Sequence, residues 1–170
     1  GVCIIRNYGG PEGRGRLDLW QLKPWHDIFG TTDRDAVEKK CAATGQEYKW
    51  LPDGRRRLMN RTPAIRLHPK TGEPVWFNHS QVFHLSSAED EYRRIVSRLP
   101  ELRYHVLRGI AAIGARYKKW RLSDEEQAMQ ALYGDGSPIP DADMLAVRDA
   151  IWRNLVVTRW QKGDAVLIDN

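Results

Sequence analysis

The stretch His68-Pro69-Lys70-Thr71-Gly72-Glu73-Pro74-Val75-Trp76-Phe77-Asn78 places a turn signal between two β-rich runs. The first run is Pro63-Ala64-Ile65-Arg66-Leu67, and the second is Pro74-Val75-Trp76-Phe77. A glycine-bearing turn such as Lys-Thr-Gly-Glu between two extended runs is typical of a β-hairpin. The sequence therefore predicts a hairpin here, and the side chains on its second strand are the first candidates for function.

The segments on both sides of the hairpin predict a mixture of strands and helices. Short apolar runs predict strands at residues 2–5, 48–51, 156–160 and 165–170. Capping residues and apolar side chains at helical spacing predict helices over 34–44, from 88, from 102, from 123 and over 144–155. Strands at both ends with helices between them predict an α+β fold, in which residues 88–155 form a large helical insertion.

The length of 170 residues predicts one domain with its own hydrophobic core. The last apolar run, Ala165-Val166-Leu167-Ile168-Asp169-Asn170, continues to the final residue, and such a strand would leave an edge unpaired. We therefore expect residues 1–170 to be a single, incomplete domain. No apolar run approaches the ~20 residues of a membrane-spanning helix. Two cysteines, Cys3 and Cys41, are too few for a disulfide framework and favour a cytoplasmic location.

Positive charge is concentrated in the first part of the chain. Residues 1–70 contain 14 Lys and Arg against 8 Asp and Glu, whereas residues 71–170 contain 13 against 14. A basic half is typical of proteins that bind nucleic acid or an anionic substrate, and equally of an ordinary solvated surface. The triplet Arg55-Arg56-Arg57, close to Tyr48 and Trp50, suits phosphate binding and base stacking, but no nucleic-acid motif accompanies it.

The histidines give little support for a metal site. His26 and Asp27 are adjacent, and neighbouring side chains of an extended chain point to opposite faces. His79 and His84 are five residues apart, which matches neither the i, i+4 spacing of a helical metal site nor the i, i+2 spacing of a strand. Glycine-rich phosphate loops, Cys-x-x-Cys and Gly-x-Ser-x-Gly are missing from the sequence. Composition and spacing alone therefore assign no chemistry.

Two motifs, taken together, resemble a known family. His68-Pro69-x-Thr71-Gly72-x-x-Val75-Trp76-Phe77-Asn78, followed by Trp160-x-x-Gly163-Asp164-x-x-x-x-Asp169-Asn170, is similar to the TauD/TfdA (taurine dioxygenase-like) family. Five further segments resemble the branch of this family that contains SyrP-like hydroxylases. They are Arg6-Asn7-Tyr8-Gly9, Trp25-x-x-x-Phe29, Val37-Glu38, Tyr48-x-Trp50 and Tyr133-Gly134-Asp135-Gly136. The resemblance implies an Fe(II)- and 2-oxoglutarate-dependent oxygenase with a double-stranded β-helix, the jelly-roll or cupin-like fold.

The resemblance also implies which parts of such an enzyme this chain contains. In the family, a His-x-Asp/Glu pair and a later His bind the iron, and none of these positions has a counterpart here. We therefore assign no catalytic residue and no metal ligand in this chain, and we expect it to be inactive alone. Trp76 and Asn78 match substrate-binding positions. Asp169 and Asn170 match residues that orient the strand carrying the later His.

The function implied is that of a dioxygenase, a hydroxylase that acts on a small organic substrate. Amino-acid-derived compounds are the candidates that the SyrP-like branch suggests. The alternative is a non-catalytic binding or assembly module of the same fold. The expected partner is the small-molecule substrate, with no nucleic acid and no membrane, and homo-oligomerisation is left open.

Overall fold

The protein is described by a computed structural model that covers residues 1–10 and 22–166. Its strands, numbered along the chain, are β1 (Val2–Tyr8), β2 (Glu47–Trp50), β3 (Arg56–Thr62), β4 (Ile65–Leu67), β5 (Pro74–Trp76) and β6 (Met129–Tyr133). Its helices are α1 (Trp25–Phe29), α2 (Arg34–Ala43), α3 (Ser80–Phe83), α4 (Ser87–Arg98), α5 (Leu102–Arg121) and α6 (Asp141–Arg153). Helices and antiparallel strands are thus mixed along the chain, as an α+β fold requires.

A four-stranded antiparallel sheet has the order β2-β3-β1-β6. Its central strand β1 is apolar over most of its length, and it is buried at every position except Arg6. Ile4 pairs with Asn60 of β3 on one side and with Ala131 of β6 on the other. Residues that pair directly across antiparallel strands share a face of the sheet, so this register fixes which side chains meet.

Two apolar clusters form the core on one face of this sheet. Alternation along β1 puts Ile4 and Tyr8 on the same face, and the pairing adds residues from β3 and β6. Helices α1 and α2 cover one end of the face, where the buried cluster comprises Tyr8, Trp25, Val37, Cys41 and Leu58. Helix α6 covers the other end, where the cluster comprises Ile4, Ala131, Ile139 and Met144.

The hairpin predicted around residues 63–77 is confirmed. Strands β4 and β5 pair in an antiparallel manner, with Ile65 opposite Trp76. The turn closes because the backbone N–H of His68 donates to the carbonyl of Glu73 at 2.8 Å. Gly72 has a φ of 72°, a left-handed conformation that glycine adopts without steric cost.

The helix predicted over 34–44 is also confirmed, as α2. Its first turn is capped by Asp33, whose Oδ1 accepts a hydrogen bond from the backbone N–H of Asp35 at 2.9 Å. It ends before Gly45, which has a φ of 64°. The predicted helices after Ala88 and Pro100 and near Met144 correspond to α4, α5 and α6.

The prediction of a helix opening at Ser123 is wrong. The capping hydrogen bonds do form, since the Ser123 backbone N–H and hydroxyl both donate to Glu126 Oε2 at 3.0 Å. The chain then turns and forms β6, which pairs with β1. The Asn7 side-chain amide holds this turn against β1, because it donates hydrogen bonds to the carbonyl oxygens of Asp124 and Gln127. Tertiary pairing therefore overrides the local capping signal, and residues 88–155 include a strand among their helices.

Two further strand predictions differ from the structure. Strand β3 was not expected, because its sequence Arg56-Arg57-Leu58-Met59-Asn60-Arg61-Thr62 has little apolar alternation. The run 156–160 was expected to be a strand, but it forms no regular element, and Val156, Val157 and Trp160 are exposed. No strand in the described part of the chain pairs with it. None of the helices in residues 1–10 and 22–166 has the length and apolar character needed to cross a membrane.

Candidate functional site

A cavity of about 720 Å³ lies between the core face of the sheet and the end of the hairpin. Its floor comes from β1 and β3, and its walls come from α1, α3, α6 and the residues that follow β5. The side chains of the floor include Ile4, Arg6, Tyr8, Leu58, Asn60 and Thr62. A cleft of this size and lining is suited to a small organic molecule.

Strand register explains how the floor is assembled. Residues 4, 6 and 8 alternate with buried residues of the opposite face, so their side chains project together toward the cavity. Arg6 pairs with Leu58 across the β1–β3 boundary, and Ile4 pairs with Asn60. The floor is therefore a fixed set of side chains held by backbone pairing on both edges of β1.

Trp76 and Asn78 both line this cavity. Trp76 is the last residue of β5, and its side chain is about one-third exposed. The Asn78 amide joins the hairpin to α3: Nδ2 donates to the Ala64 carbonyl at 3.0 Å, and Oδ1 accepts from the Ser80 backbone N–H at 3.0 Å. The substrate-binding role predicted for these two residues stays a prediction. Asp169 and Asn170 lie outside the described residues.

The charged groups in the cavity lining are cationic. The Arg6 guanidinium lies 5.1 Å from the centre of the Phe83 ring, and the Arg66 guanidinium lies 5.1 Å from the centre of the Phe77 ring. Arg66 also donates from Nη2 to the Thr62 hydroxyl at 3.0 Å. None of the described side chains that line the cavity is an Asp or a Glu. Among the described residues, the lining therefore carries positive charge with no carboxylate beside it.

A buried arginine supports the wall next to Tyr8 and Phe29. The Arg56 side chain is fully buried, and its guanidinium packs against the rings of Phe29, Tyr48 and Trp50 at 5.0, 4.6 and 4.6 Å. Its Nη2 donates to the sulfur of Cys41 at 3.0 Å. Burial lowers the pKa of Arg56. The basic triplet at residues 55–57 therefore does not present three exposed arginines. Arg56 is buried against Tyr48 and Trp50, the two residues that were candidates for base stacking.

The histidines weighed as metal ligands do not come together. His79 is exposed at the edge of the cavity, just before α3. His84 is buried, with Nε2 facing the Ile139 carbonyl at 3.0 Å and Nδ1 accepting from the Ser86 backbone N–H at 3.3 Å. Among the described residues, no three His, Cys, Asp or Glu side chains are placed to hold a metal ion. The described side chains therefore do not fit an iron centre.

Arg6 and Arg66 are cavity residues to which the sequence alone assigned no role. For Arg6 a signal existed, since it is the one charged residue in the otherwise uncharged run from Val2 to Tyr8. Recognising it required knowing that β1 is central and that its even-numbered residues face the core. Arg66 had no comparable signal, because its place in the cavity depends on how the hairpin folds back toward β3.

Comparison with known proteins agrees with the motifs. The family model described as taurine catabolism dioxygenase TauD, TfdA family, matches residues 11–170. The chain belongs to the TauD/TfdA family. Dapdiamide synthesis protein DdaC of Enterobacter agglomerans is 27% identical over 170 residues, which is 100% of this chain and 42% of that protein. A clavaminate synthase-like protein of Arabidopsis thaliana is 24% identical over 161 residues, 94% of this chain and 36% of that protein.

This chain thus spans less than half the length of these two curated relatives. The matched family is described as one of dioxygenases, and it implies a cupin-like jelly roll. The structure shows helices with antiparallel sheets.

Proposed function

We propose that this protein is an Fe(II)- and 2-oxoglutarate-dependent hydroxylase that acts on a small organic compound, and that this chain forms part of its substrate cavity. The observation that carries the proposal is the cavity of about 720 Å³, because the sequence positions matched to substrate binding, Trp76 and Asn78, line it. In this family, metal and cosubstrate supply the oxidising chemistry, and the protein binds and orients the reactants.

The four-stranded sheet and the β4–β5 hairpin are proposed to belong to the two facing sheets of a double-stranded β-helix. Support comes from their arrangement, since the cavity lies between the sheet face and the end of the hairpin. Active sites of jelly-roll proteins that hold small ligands lie inside the barrel, between such sheets. On this proposal, residues 88–155 pack around the cavity, as Ile151 of α6 already does.

The roles of the cavity residues follow from their contacts. The Trp76 ring offers a large apolar surface at the end of β5, suited to packing against a substrate. Asn78 helps to fix the position of that ring, because its side-chain amide forms hydrogen bonds with the backbone before β4 and with the backbone of α3. The buried Arg56 cluster keeps Tyr8 and Phe29 in place at the opposite wall. The name of one relative, a dapdiamide synthesis protein, supports a role in the synthesis of a small organic compound.

The test is a succinate assay with Fe(II), labelled 2-oxoglutarate and a panel of small organic acids. We expect no succinate from the 170-residue chain, because its described residues do not fit an iron centre. We expect succinate from the product of the whole reading frame that encodes the chain. In that product, Trp76→Ala should lower kcat/KM about tenfold or more, as the loss of an apolar wall implies.

The matched control is Trp120→Ala. Trp120 is a tryptophan on α5 that is 81% exposed, and it is not among the cavity residues. Its removal should leave kcat/KM unchanged. Succinate formed by the 170-residue chain alone would overturn the expectation that this chain lacks a working iron site.

The second candidate function is a non-catalytic binding module of the same fold. It is favoured by one observation, the lack of a metal-binding cluster in the part of the chain that the structure describes. The same assay separates the two functions. A whole reading-frame product that binds organic acids in the cavity but forms no succinate with Fe(II) present supports the module and overturns the hydroxylase.

A further inference from the structure

Arg6 is the exception in a buried strand. The other six residues of β1 are buried, and the strands on both sides of it are paired. Its cross-strand neighbours, Leu58 and Met129, are both apolar. An exposed charge at the centre of a sheet needs an opening above it, and the cavity is that opening. The strand thus places one guanidinium on the cavity floor.

Arg66 brings a second guanidinium to the same cavity from the hairpin. Its Nη2 donates to the Thr62 hydroxyl, and its guanidinium carbon lies over the Phe77 ring, 5.1 Å from the ring centre. The Arg6 guanidinium carbon likewise lies over an aromatic ring, that of Phe83, 5.1 Å from its centre. Stacking on an aromatic face fixes the plane of a guanidinium while leaving N–H groups at its edge to donate. Each guanidinium therefore has an aromatic ring as a neighbour, and neither lies in an ion pair with a described carboxylate.

We propose that Arg6 and Arg66 bind the carboxylate of an organic acid whose apolar body packs against Trp76 and Phe77. Guanidinium groups match carboxylates geometrically and bind them through charge-assisted hydrogen bonds. The lining supplies the complementary features, since it is cationic, free of Asp and Glu among its described side chains, and rich in aromatic rings. This inference rests on the proposed function and names the chemistry of the substrate.

Two sources of the carboxylate fit this chemistry, the primary substrate and 2-oxoglutarate. We assign the pair to the primary substrate, because Trp76 and Phe77 next to Arg66 provide an apolar wall that 2-oxoglutarate has little surface to cover. The experiment below includes both molecules, so that one source can be told from the other.

The experiment measures the binding of three probes to the full 170-residue chain by NMR titration of backbone amides. The probes are 3-phenylpropionate, its neutral analogue 3-phenylpropanamide, and 2-oxoglutarate. We expect 3-phenylpropionate to bind about tenfold or more tightly than the amide, because the amide cannot form the charge-assisted bonds. The perturbed amides should lie in β1 and at residues 76–78, and affinity should fall as salt concentration rises.

The variants Arg6→Gln and Arg66→Gln should each weaken 3-phenylpropionate binding about tenfold and leave amide binding unchanged. Arg6→Lys keeps the charge but loses the planar fork, so it should give an intermediate affinity. The matched control is Arg61→Gln on β3. Arg61 is paired with Glu47 and is not a cavity residue, so its variant should bind like the parent. Far-UV circular dichroism checks that each variant is folded.

Equal binding of the acid and the amide, or variants without effect on the acid, would overturn the carboxylate site. If 2-oxoglutarate binds through the same arginines and 3-phenylpropionate does not, the assignment to the primary substrate is wrong. These outcomes concern binding alone, so they are distinguishable from a failure of the succinate assay, which would remove the hydroxylase function and leave a measured carboxylate site intact.

Discussion

Glu38 contacts two aromatic residues that surround Arg56, and its environment gives it a defined pH dependence. The indole Nε1–H of Trp50 donates to Glu38 Oε1 at 2.6 Å. This bond, with a second one from the Tyr48 hydroxyl, lowers the pKa of Glu38 below its ordinary value. Because the folded protein prefers the ionised form more strongly than the unfolded chain does, ionisation of Glu38 contributes to stability.

We therefore expect Glu38→Gln to lower the melting temperature at neutral pH. The stabilising contribution is complete above the ordinary glutamate pKa of about 4.3 and is lost as the pH falls through the lower folded-state value. The melting temperatures of parent and variant should accordingly converge as the buffer approaches about pH 3. Thermal melts across this range, followed by circular dichroism, measure the difference.

The control for this prediction is Trp50→Phe, which keeps an aromatic ring and removes the donating N–H. In that background Glu38→Gln should have a smaller effect at neutral pH, because the largest cause of the pKa shift is gone. An effect of equal size in both backgrounds would show that the Trp50–Glu38 hydrogen bond is not the source of the pH dependence.

At the level of single residues, sequence could identify the site only where a motif was present. Trp76 and Asn78 were found because they lie in the hairpin motif, and the structure places both at the cavity. Arg56 shows the opposite case: within a basic triplet it predicts surface charge, yet its side chain is fully buried. Its burial depends on aromatic rings from α1 and β2, which only tertiary structure brings together.

At the level of elements, local sequence signals were sufficient to predict those helices and strands that have capping residues, turn residues or a strong apolar pattern. Helix α2 and the hairpin formed where their capping and turn residues predicted them. Strand β3 and strand β6 were missed, because neither carries an apolar alternation of its own and both are defined by pairing with β1. Sequence patterns therefore did not reveal the strands whose formation depends on pairing with a strand far away in the sequence.

Helix α5 provides a prediction about stability. It contains Gly109 and Gly114, and a Cβ added at either position would have no described atom within 4 Å apart from the backbone of its own helix turn and its chain neighbours. Alanine in a helix interior is favoured over glycine by about 0.5–1 kcal/mol, since it restricts the unfolded chain more. Gly109→Ala and Gly114→Ala should each raise the free energy of unfolding by about that amount. Urea denaturation measures both.

Gly134→Ala is the contrasting variant. A Cβ there would lie 3.3 Å from the carbonyl carbon of Gly1, where the chain passes close to the start of β1. We expect this variant to be less stable than the parent under the same conditions. If Gly109→Ala and Gly134→Ala shifted the urea midpoint in the same direction, backbone proximity would not be the factor that decides their effects.

At the scale of the whole molecule, one buried arginine connects the helices on the core face. Arg148 of α6 is 2% exposed, and its Nη1 forms an ion pair with the Asp90 carboxylate of α4. Its Nη1 also donates to the Ser86 hydroxyl at 2.9 Å, and its Nε donates to the Gln81 carbonyl of α3 at 3.0 Å. Helix α6 is thus joined through one side chain to α3 and α4, which lie more than 40 residues earlier in the sequence, next to the wall of the cavity.

Arg148→Met should therefore lower the free energy of unfolding by about 3 kcal/mol, because it leaves the Asp90 carboxylate without its main partner in a buried position. Arg153→Met, one turn and a half further along α6 on an exposed side chain, should change stability by less than about 0.5 kcal/mol. The double variant Arg148→Met/Asp90→Leu should regain most of the loss, since no unpaired charge remains buried. Urea denaturation of the parent and the three variants measures each value. A single variant at Arg148 that is no less stable than the one at Arg153 would mean that packing of α6 on the sheet, rather than the ion pair, holds these helices together.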